Sequence, residues 1–247
     1  MQMLPFVILP QVDFEKTRQL QIHLVDFISK NELPGIFLVV EHNPVLTLGK
    51  STHPKHLLMN EDFLKRQGIM VYSVERGGDI TYHGPGQIVG YPLINLHYWK
   101  KDVHLFLRGL EKTLINFLKR FHLQAFCLPP HTGVWVRPNK PEKIAAMGIA
   151  VKKWITFHGF ALNISTDMKP FTYIVPCGIP DKGVTSLSLV MGMNFSEEDR
   201  KKMKKDLIDD FSGVFGYSMI EKNPKIFDEW FISGNPMFLP TLLKRIL

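Results

Sequence analysis

Only two cysteines, Cys127 and Cys177, occur in the 247 residues. That is too few for a disulfide framework or a four-cysteine zinc site. The ten histidines are scattered. His53 and His56 lie close together but in a Pro-containing stretch with no ligand pattern, so no metal is assigned. No uninterrupted apolar run reaches membrane-spanning length. The opening MQMLPFVILPQV lacks a basic n-region, is broken by Pro5 and Pro10, and is followed by Asp13 and Glu15. It reads neither as a signal peptide nor, without Arg and Ser enrichment, as a transit peptide. The expectation is a cytoplasmic protein with no membrane association.

Phosphate-binding loops are missing too. No Gly-Lys-Ser/Thr ending follows any glycine cluster. Gly84, Gly86 and Gly90 give G-x-G-x-x-x-G, one residue too long for the dinucleotide fingerprint, and they lead into a strand-like run rather than a helix. Acidic residues are in deficit, 23 against 30 Lys and Arg, for a net charge of +7. That excess steers acidic partners without specifying them. No zinc-finger, RNP or other nucleic-acid motif accompanies it, so no nucleic acid is assigned as partner; on charge alone nucleic acid stays open and an acidic protein partner fits equally well. Lysines cluster at Lys100–Lys101, Lys152–Lys153 and Lys201–Lys205.

What is present is ordinary for a soluble globular chain: 45% hydrophobic and 21% charged residues. The length allows one large domain or two small ones with a sizeable core. A short strand is expected at Phe6–Leu9, then an amphipathic helix over Asp13–Ser29 with Phe14, Leu20, Leu24, Phe27 and Ile28 near helical spacing. Gly35–Glu41 and Val45–Leu48 read as strands paired around His42-Asn43-Pro44. A short helix is expected over Glu61–Gln67, followed by the strand-like run Ile69–Glu75. Asp102 is placed to cap a helix running to His122, with Leu105, Phe106, Leu110, Leu114, Phe117 and Leu118 inward. Strands are expected at Gly133–Arg137, Lys143–Val151 and Trp154–Ile164. Ser196 starts a last helix, with Glu197 and Glu198 favourably placed at its N-terminus. A segment boundary falls near Phe195. The mixed order predicts an α/β (α+β mixed) fold.

The densest signal is RGGDITYHGPGQ, Arg76 to Gln87, with four glycines in twelve positions. So many glycines cost folding entropy that ordinary turn residues avoid. With Arg76, Tyr82 and His83 interleaved, the loop reads as shaped around a ligand. A second constellation lies downstream. Cys177 sits between Pro176 and Gly178 in IVPCGIPDKG, whereas Cys127 in AFCLPP reads as packing. Lys143 opens KIAAMGIAV, where partial desolvation would favour a neutral amine and proton transfer. His158 in FHGFALN is an auxiliary acid–base candidate.

RGGDITYHGPGQ, the run KIAAMGIAVKKWITFHGFALNISTDMKPFTYIVPCGI and the following VTSL together resemble the octanoyl-[acyl-carrier-protein]:protein N-octanoyltransferases, also called lipoate-protein ligase B. The resemblance spans about Glu41 to Leu187, with no departure at the key positions. It implies a biotin/lipoate protein ligase-like catalytic domain with mixed β-sheets flanked by helices, occupying 1–247 as a single domain with a helical C-terminal segment from about 196. It implies transfer of octanoyl from octanoyl-acyl carrier protein to a lysine of lipoyl domains, those of the 2-oxoacid dehydrogenases and the glycine cleavage H protein, in lipoate biosynthesis. By resemblance, Cys177 carries the acyl group as a thioester and Lys143 favours its thiolate. The substrate wall would comprise Arg76, Gly77, Gly78, Asp79, Ile80, Thr81, Tyr82 and His83, with Ala146, Met147, Gly148, Gly159, Phe160 and Ala161. Backbone N–H groups around Cys177 and Gly178 are the expected oxyanion donors. No cofactor is expected, neither ATP nor metal, because amide formation from a thioester is downhill. An ATP-dependent lipoate ligase of the same fold is the nearest alternative, but that family lacks the cysteine. A non-catalytic carrier-binding module is the alternative from another class.

Overall fold

The computed structural model describes residues 2–137 and 139–233. The chain begins with strand β1 (Gln2–Val12), helix α1 (Phe14–Lys30) and strands β2 (Gly35–His42) and β3 (Val45–Leu48). Helix α2 (Glu61–Arg66), strands β4 (Met70–Ser73), β5 (Thr81–His83) and β6 (Gln87–Ile94), and helix α3 (Val103–Lys119) follow. Strands β7 (Phe126–Leu128), β8 (His131–Val136), β9 (Glu142–Lys152), β10 (Ile155–Asn163) and β11 (Gly183–Val184) make up the next block. Helices α4 (Leu187–Met191) and α5 (Glu197–Phe215), strand β12 (Tyr217–Glu221) and helix α6 (Asp228–Ser233) complete the described chain.

Among the described residues the strands form two sheets. A nine-stranded mixed sheet runs β12-β1-β2-β6-β10-β9-β8-β7, with β11 beside β9, and a small sheet runs β4-β3-β5. β2 shows why the large sheet is the core. Its eight residues are all buried, and alternate side chains go to opposite faces. Ile36, Leu38 and Val40 pack with Leu20, Leu24 and Ile28 of α1, whereas Phe37 and Val39 pack with Phe106 of α3 and Phe211 of α5. A strand covered on both sides reads as a continuous apolar run, which GIFLVV is.

Helix starts follow the capping chemistry. Asp13, Asn60, Asp102 and Ser186 each accept a backbone N–H with the side chain. Ser196 and Asp199 form a reciprocal capping box at the start of α5. Buried Met203, Leu207, Ile208, Phe211 and Phe215 lie on one face of α5. Phe211 packs against Phe37 with tilted rings, 4.6 Å between centroids, and Phe215 lies 5.2 Å from Phe106. The segment after Phe195 therefore shares the core of the preceding chain.

Three expectations change. β2 and β3 do not pair with each other: β2 lies between β1 and β6, and β3 pairs with β4 and β5 in the other sheet. The short turn between them is a crossing between sheets, not a hairpin. Helix α3 ends at Lys119, and Leu105, in its first turn, is 40% exposed rather than inward. The first strand is longer than expected, because β12 and β2 pair in parallel along its two edges.

Candidate active site

A cavity of about 250 Å³ opens where β6, β9 and β10 of the large sheet face β3 and β5 of the small one. Arg76, Gly78, Asp79, Thr81 and His83 of the glycine loop line it. So do Lys143, Ala146, Met147, Gly148, His158, Gly159, Phe160, Ala161 and Cys177. The loop and the downstream constellation, far apart in sequence, thus share one wall. Gly77, Ile80 and Tyr82 do not line it. The Gly77 amide donates to the Ile149 carbonyl at 3.0 Å. Ile80 and Tyr82 point into the core beside Phe171. Of the four loop glycines only Gly78 borders the cavity. Gly86 has φ +78, and a Cβ there would lie 2.6 Å from the Ser165 carbonyl oxygen; its N–H donates to Glu41 at 2.8 Å.

Arg76 organises the loop. Its guanidinium is buried and gives its hydrogens to the Gly77, Asp79 and Thr47 carbonyls and to the Thr47 hydroxyl. No carboxylate meets it within 4 Å among the described residues. Burial holds its pKa below the usual arginine value.

The Thr47 hydroxyl accepts from Arg76, leaving its own hydrogen for His83 Nε2 at 3.4 Å. His83 Nδ1–H then donates to Gln87 Oε1 at 2.8 Å. Gln87 Nε2 donates onward to the Tyr82 carbonyl and to Asn163 Oδ1. Burial, with His42 nearby, pushes His83 down to about 3. A ring held neutral with both nitrogens occupied is a brace, not a proton shuttle. His158 is buried and touches Glu75 with Nε2 at 3.3 Å. Burial lowers its pKa, an effect partly offset by that carboxylate. Glu75 is held down to about 2 by the His158 contact, with Arg18 also beside it.

Cys177 is half-buried at the centre of the turn Pro176–Gly178, with φ +56. A non-glycine residue in this region is strained by about 1–2 kcal/mol. The strain is held by two contacts. The Cys177 N–H donates to the Ile80 carbonyl at 3.0 Å and the Gly178 N–H to Val175 at 3.0 Å. Gly178 has φ +68, and a Cβ there would meet Asp79 Oδ2 at 2.5 Å. That carboxylate also binds His56 Nδ1 at 2.6 Å. Both backbone N–H groups expected to hold an oxyanion are therefore already engaged in building the turn.

Lys143, on β9, is 5% exposed. Its ammonium lies 4.9 Å from the Trp135 ring, and no carboxylate lies within 4 Å among the described residues. Cys127, by contrast, donates its thiol to Glu111 at 3.3 Å and is pushed up to about 11 by burial and that carboxylate. Such a thiol is inert.

Sequence reading did not single out Thr47, Tyr91 or Phe14 as cavity residues, nor Pro130, His131 and Thr132 at its rim. Thr47 was detectable as a lone hydroxyl in the apolar run VLTL. Tyr91 and Phe14 look like core residues in sequence and are buried in the core, and only the packing reveals that they also line the cavity. Of the lysine clusters, Lys152 and Lys153 both pair with Asp26, and Lys204 is buried against Glu41 at 2.9 Å.

Residues 13–212 match the family described as lipoyl protein ligase A/B catalytic domain. The chain is 44% identical over 211 residues to an octanoyltransferase of Thermoanaerobacter sp. (strain X514), covering 85% of this chain and 89% of that one. It is 41% identical to an octanoyltransferase of Alkaliphilus metalliredigens, covering 86% and 95%. A bi-partite lipoate protein ligase of Thermoplasma acidophilum shares the fold at TM-score 0.69, with 14% identity and 96% of each chain covered. Lipoate-protein ligase A bound with ATP superposes at TM-score 0.65, with 17% identity and 94% of each chain covered. The chain belongs to the lipoyl protein ligase A/B catalytic-domain family and, within it, to the octanoyltransferases, which are acyltransferases.

Proposed function

We propose that the protein moves an octanoyl group from octanoyl-acyl carrier protein to a specific lysine of lipoyl domains, through a thioester on Cys177 and without ATP. One observation carries the reading. A cysteine held in a strained turn and a buried lysine with no carboxylate partner among the described residues line the same largely apolar cavity. The thiolate is the nucleophilic form of a cysteine, and a cationic side chain on the same cavity favours it.

The chemistry then closes on itself. The Cys177 thiolate bonds to the thioester carbonyl carbon and the C=O pair moves to oxygen. Collapse breaks the bond to the donor sulfur, which leaves with a proton from the Lys143 ammonium. The incoming lysine amine attacks the enzyme thioester and expels the Cys177 thiolate, and neutral Lys143 takes the amine proton. Thiolate and ammonium are restored.

The cavity, about 250 Å³, lies below the roughly 300–1,000 Å³ of common ligand pockets. A short acyl chain is a ligand that its size and partly apolar lining accept. The ligase reading is favoured only by fold neighbours of low identity. The test is transfer from octanoyl-acyl carrier protein to a lipoyl domain in the absence of nucleotide, followed by intact-mass measurement of both proteins. Full transfer is expected. Transfer only from free octanoate with ATP would replace the reading with the ligase one.

A further inference from the structure

With the Cys177 and Gly178 N–H groups occupied, the oxyanion of the acyl-transfer reaction needs another donor. A second, smaller cleft of about 10 Å³ lies beside the main cavity, bordered by Cys177, Lys143, Thr81, Gln87 and Asn163. A void near 10–15 Å³ holds about one water-sized atom. It has room for one oxygen next to the sulfur.

Thr81, Gln87 and Asn163 are its neutral polar side chains; the Thr81 hydroxyl rotates, so the donors of fixed direction are the two amides. Both Gln87 Nε2 hydrogens are used, on the Tyr82 carbonyl at 3.1 Å and on Asn163 Oδ1 at 2.8 Å. Asn163 is 3% exposed. Its Oδ1 accepts from Gln87, and its Nδ2 donates one hydrogen to the Thr185 carbonyl at 3.0 Å. Neither assignment can be flipped, because the Tyr82 and Thr185 carbonyl oxygens can only accept. The second Nδ2 hydrogen has no acceptor among the described residues. The Thr185 N–H bonds the Lys143 carbonyl at 3.0 Å, so the same strand edge fixes Asn163 and Lys143 together.

We propose that Asn163 is a catalytic residue, donating its free Nδ2 hydrogen to the thioester oxygen as that oxygen becomes an oxyanion in the cleft. The inference rests on the acyl-transfer reading. The Lys143 ammonium is the companion donor in the first half-reaction. When the neutral lysine takes the amine proton in the second, Asn163 is the fixed amide donor that does not change state. A buried, pre-oriented amide in this role contributes about 10²–10³ in rate.

The test compares two reactions of Cys177 in the full-length protein, acylation by octanoyl-acyl carrier protein and alkylation by iodoacetamide. Displacement at the saturated carbon of iodoacetamide forms no oxyanion. In Asn163→Ala and Asn163→Leu, single-turnover acylation is expected to fall about 10²–10³-fold, with alkylation within twofold and KM for the donor little changed. Equal loss of both rates, or no loss of acylation, overturns the inference. An absence of any adduct on the unsubstituted enzyme overturns the acyl-transfer reading itself. Should neither variant fold, infrared spectra of the octanoylated native enzyme still decide. A carbonyl band shifted below that of an unbonded thioester is expected, and an unshifted band refutes the donor.

Discussion

At the residue scale, the site separates side chains that hold shape from side chains placed to react. His83, although central to the glycine loop, is locked between Thr47 and Gln87. His42 is similar: its Nδ1–H donates to the Val12 carbonyl at 3.0 Å and its Nε2 accepts from the Tyr91 hydroxyl at 2.7 Å. Burial pushes His42 down to about 4 and His83 to about 3. An unfolded histidine protonates near 6.5. The folded state therefore resists protons that the unfolded chain accepts, so stability is complete above about pH 6.5 and is lost as pH falls toward about 4. Chemical denaturation between pH 7 and 4 should show this loss, and His42→Gln should reduce it. An unchanged slope in the variant would contradict the assignment. Lys143→Ala is expected to lower kcat about 10²–10⁴-fold, the usual reach of a positioned proton-transfer group. Its far-ultraviolet spectrum should stay native, and exogenous amines should restore part of the rate. Tyr91 and Asn163 show what a linear reading cannot reach. Each looks like an ordinary strand residue, and its place at the cavity depends on which sheet its strand joins.

At the element scale, what was legible was whatever depends on local chemistry. Capping residues and helical spacing mark α1 and α3 within a few residues of their ends, and the start of α5. The failures arise where pairing is non-local. β2 and β3 are separated by two residues yet belong to different sheets, because β1 and β6 flank β2 from distant parts of the chain. Helix α5 reaches the site indirectly. Lys204 on α5 and the Gly86 N–H both bind Glu41, so one carboxylate ties the helix to the glycine loop. Burial would raise the Glu41 pKa, but Lys204 and Gly86 outweigh it and hold it low. Phe211→Ala, which empties the aromatic contact with Phe37, should cost about 3–5 kcal/mol by the usual measure of a buried Phe truncation. Urea unfolding checks it. A loss below about 1 kcal/mol would place α5 outside the cooperative core.

For the whole molecule, two sheets and a turn bring Arg76, Lys143 and Cys177, residues from three distant stretches, to one cavity. The long motifs made the family legible, because Gly78, Lys143 and Cys177 line the cavity while Gly77 and Gly86 are fixed by backbone contacts behind it. The excess of basic residues, +7 overall, predicts faster association with acidic carriers at low salt. The transfer rate under subsaturating donor should fall as ionic strength rises from about 0.01 to 0.15 M, where the Debye length shrinks from about 30 to 8 Å. A rate independent of salt would remove charge steering from the account. The central claim is that the acyl group rests on Cys177 between donor and acceptor. Octanoylated enzyme, freed of carrier and nucleotide and mixed with a lipoyl domain, tests it most directly by time-resolved intact mass. The account predicts that octanoyl leaves Cys177 and appears on the acceptor lysine at a rate no slower than kcat. A stable adduct, or transfer that persists in Cys177→Ser, would contradict it.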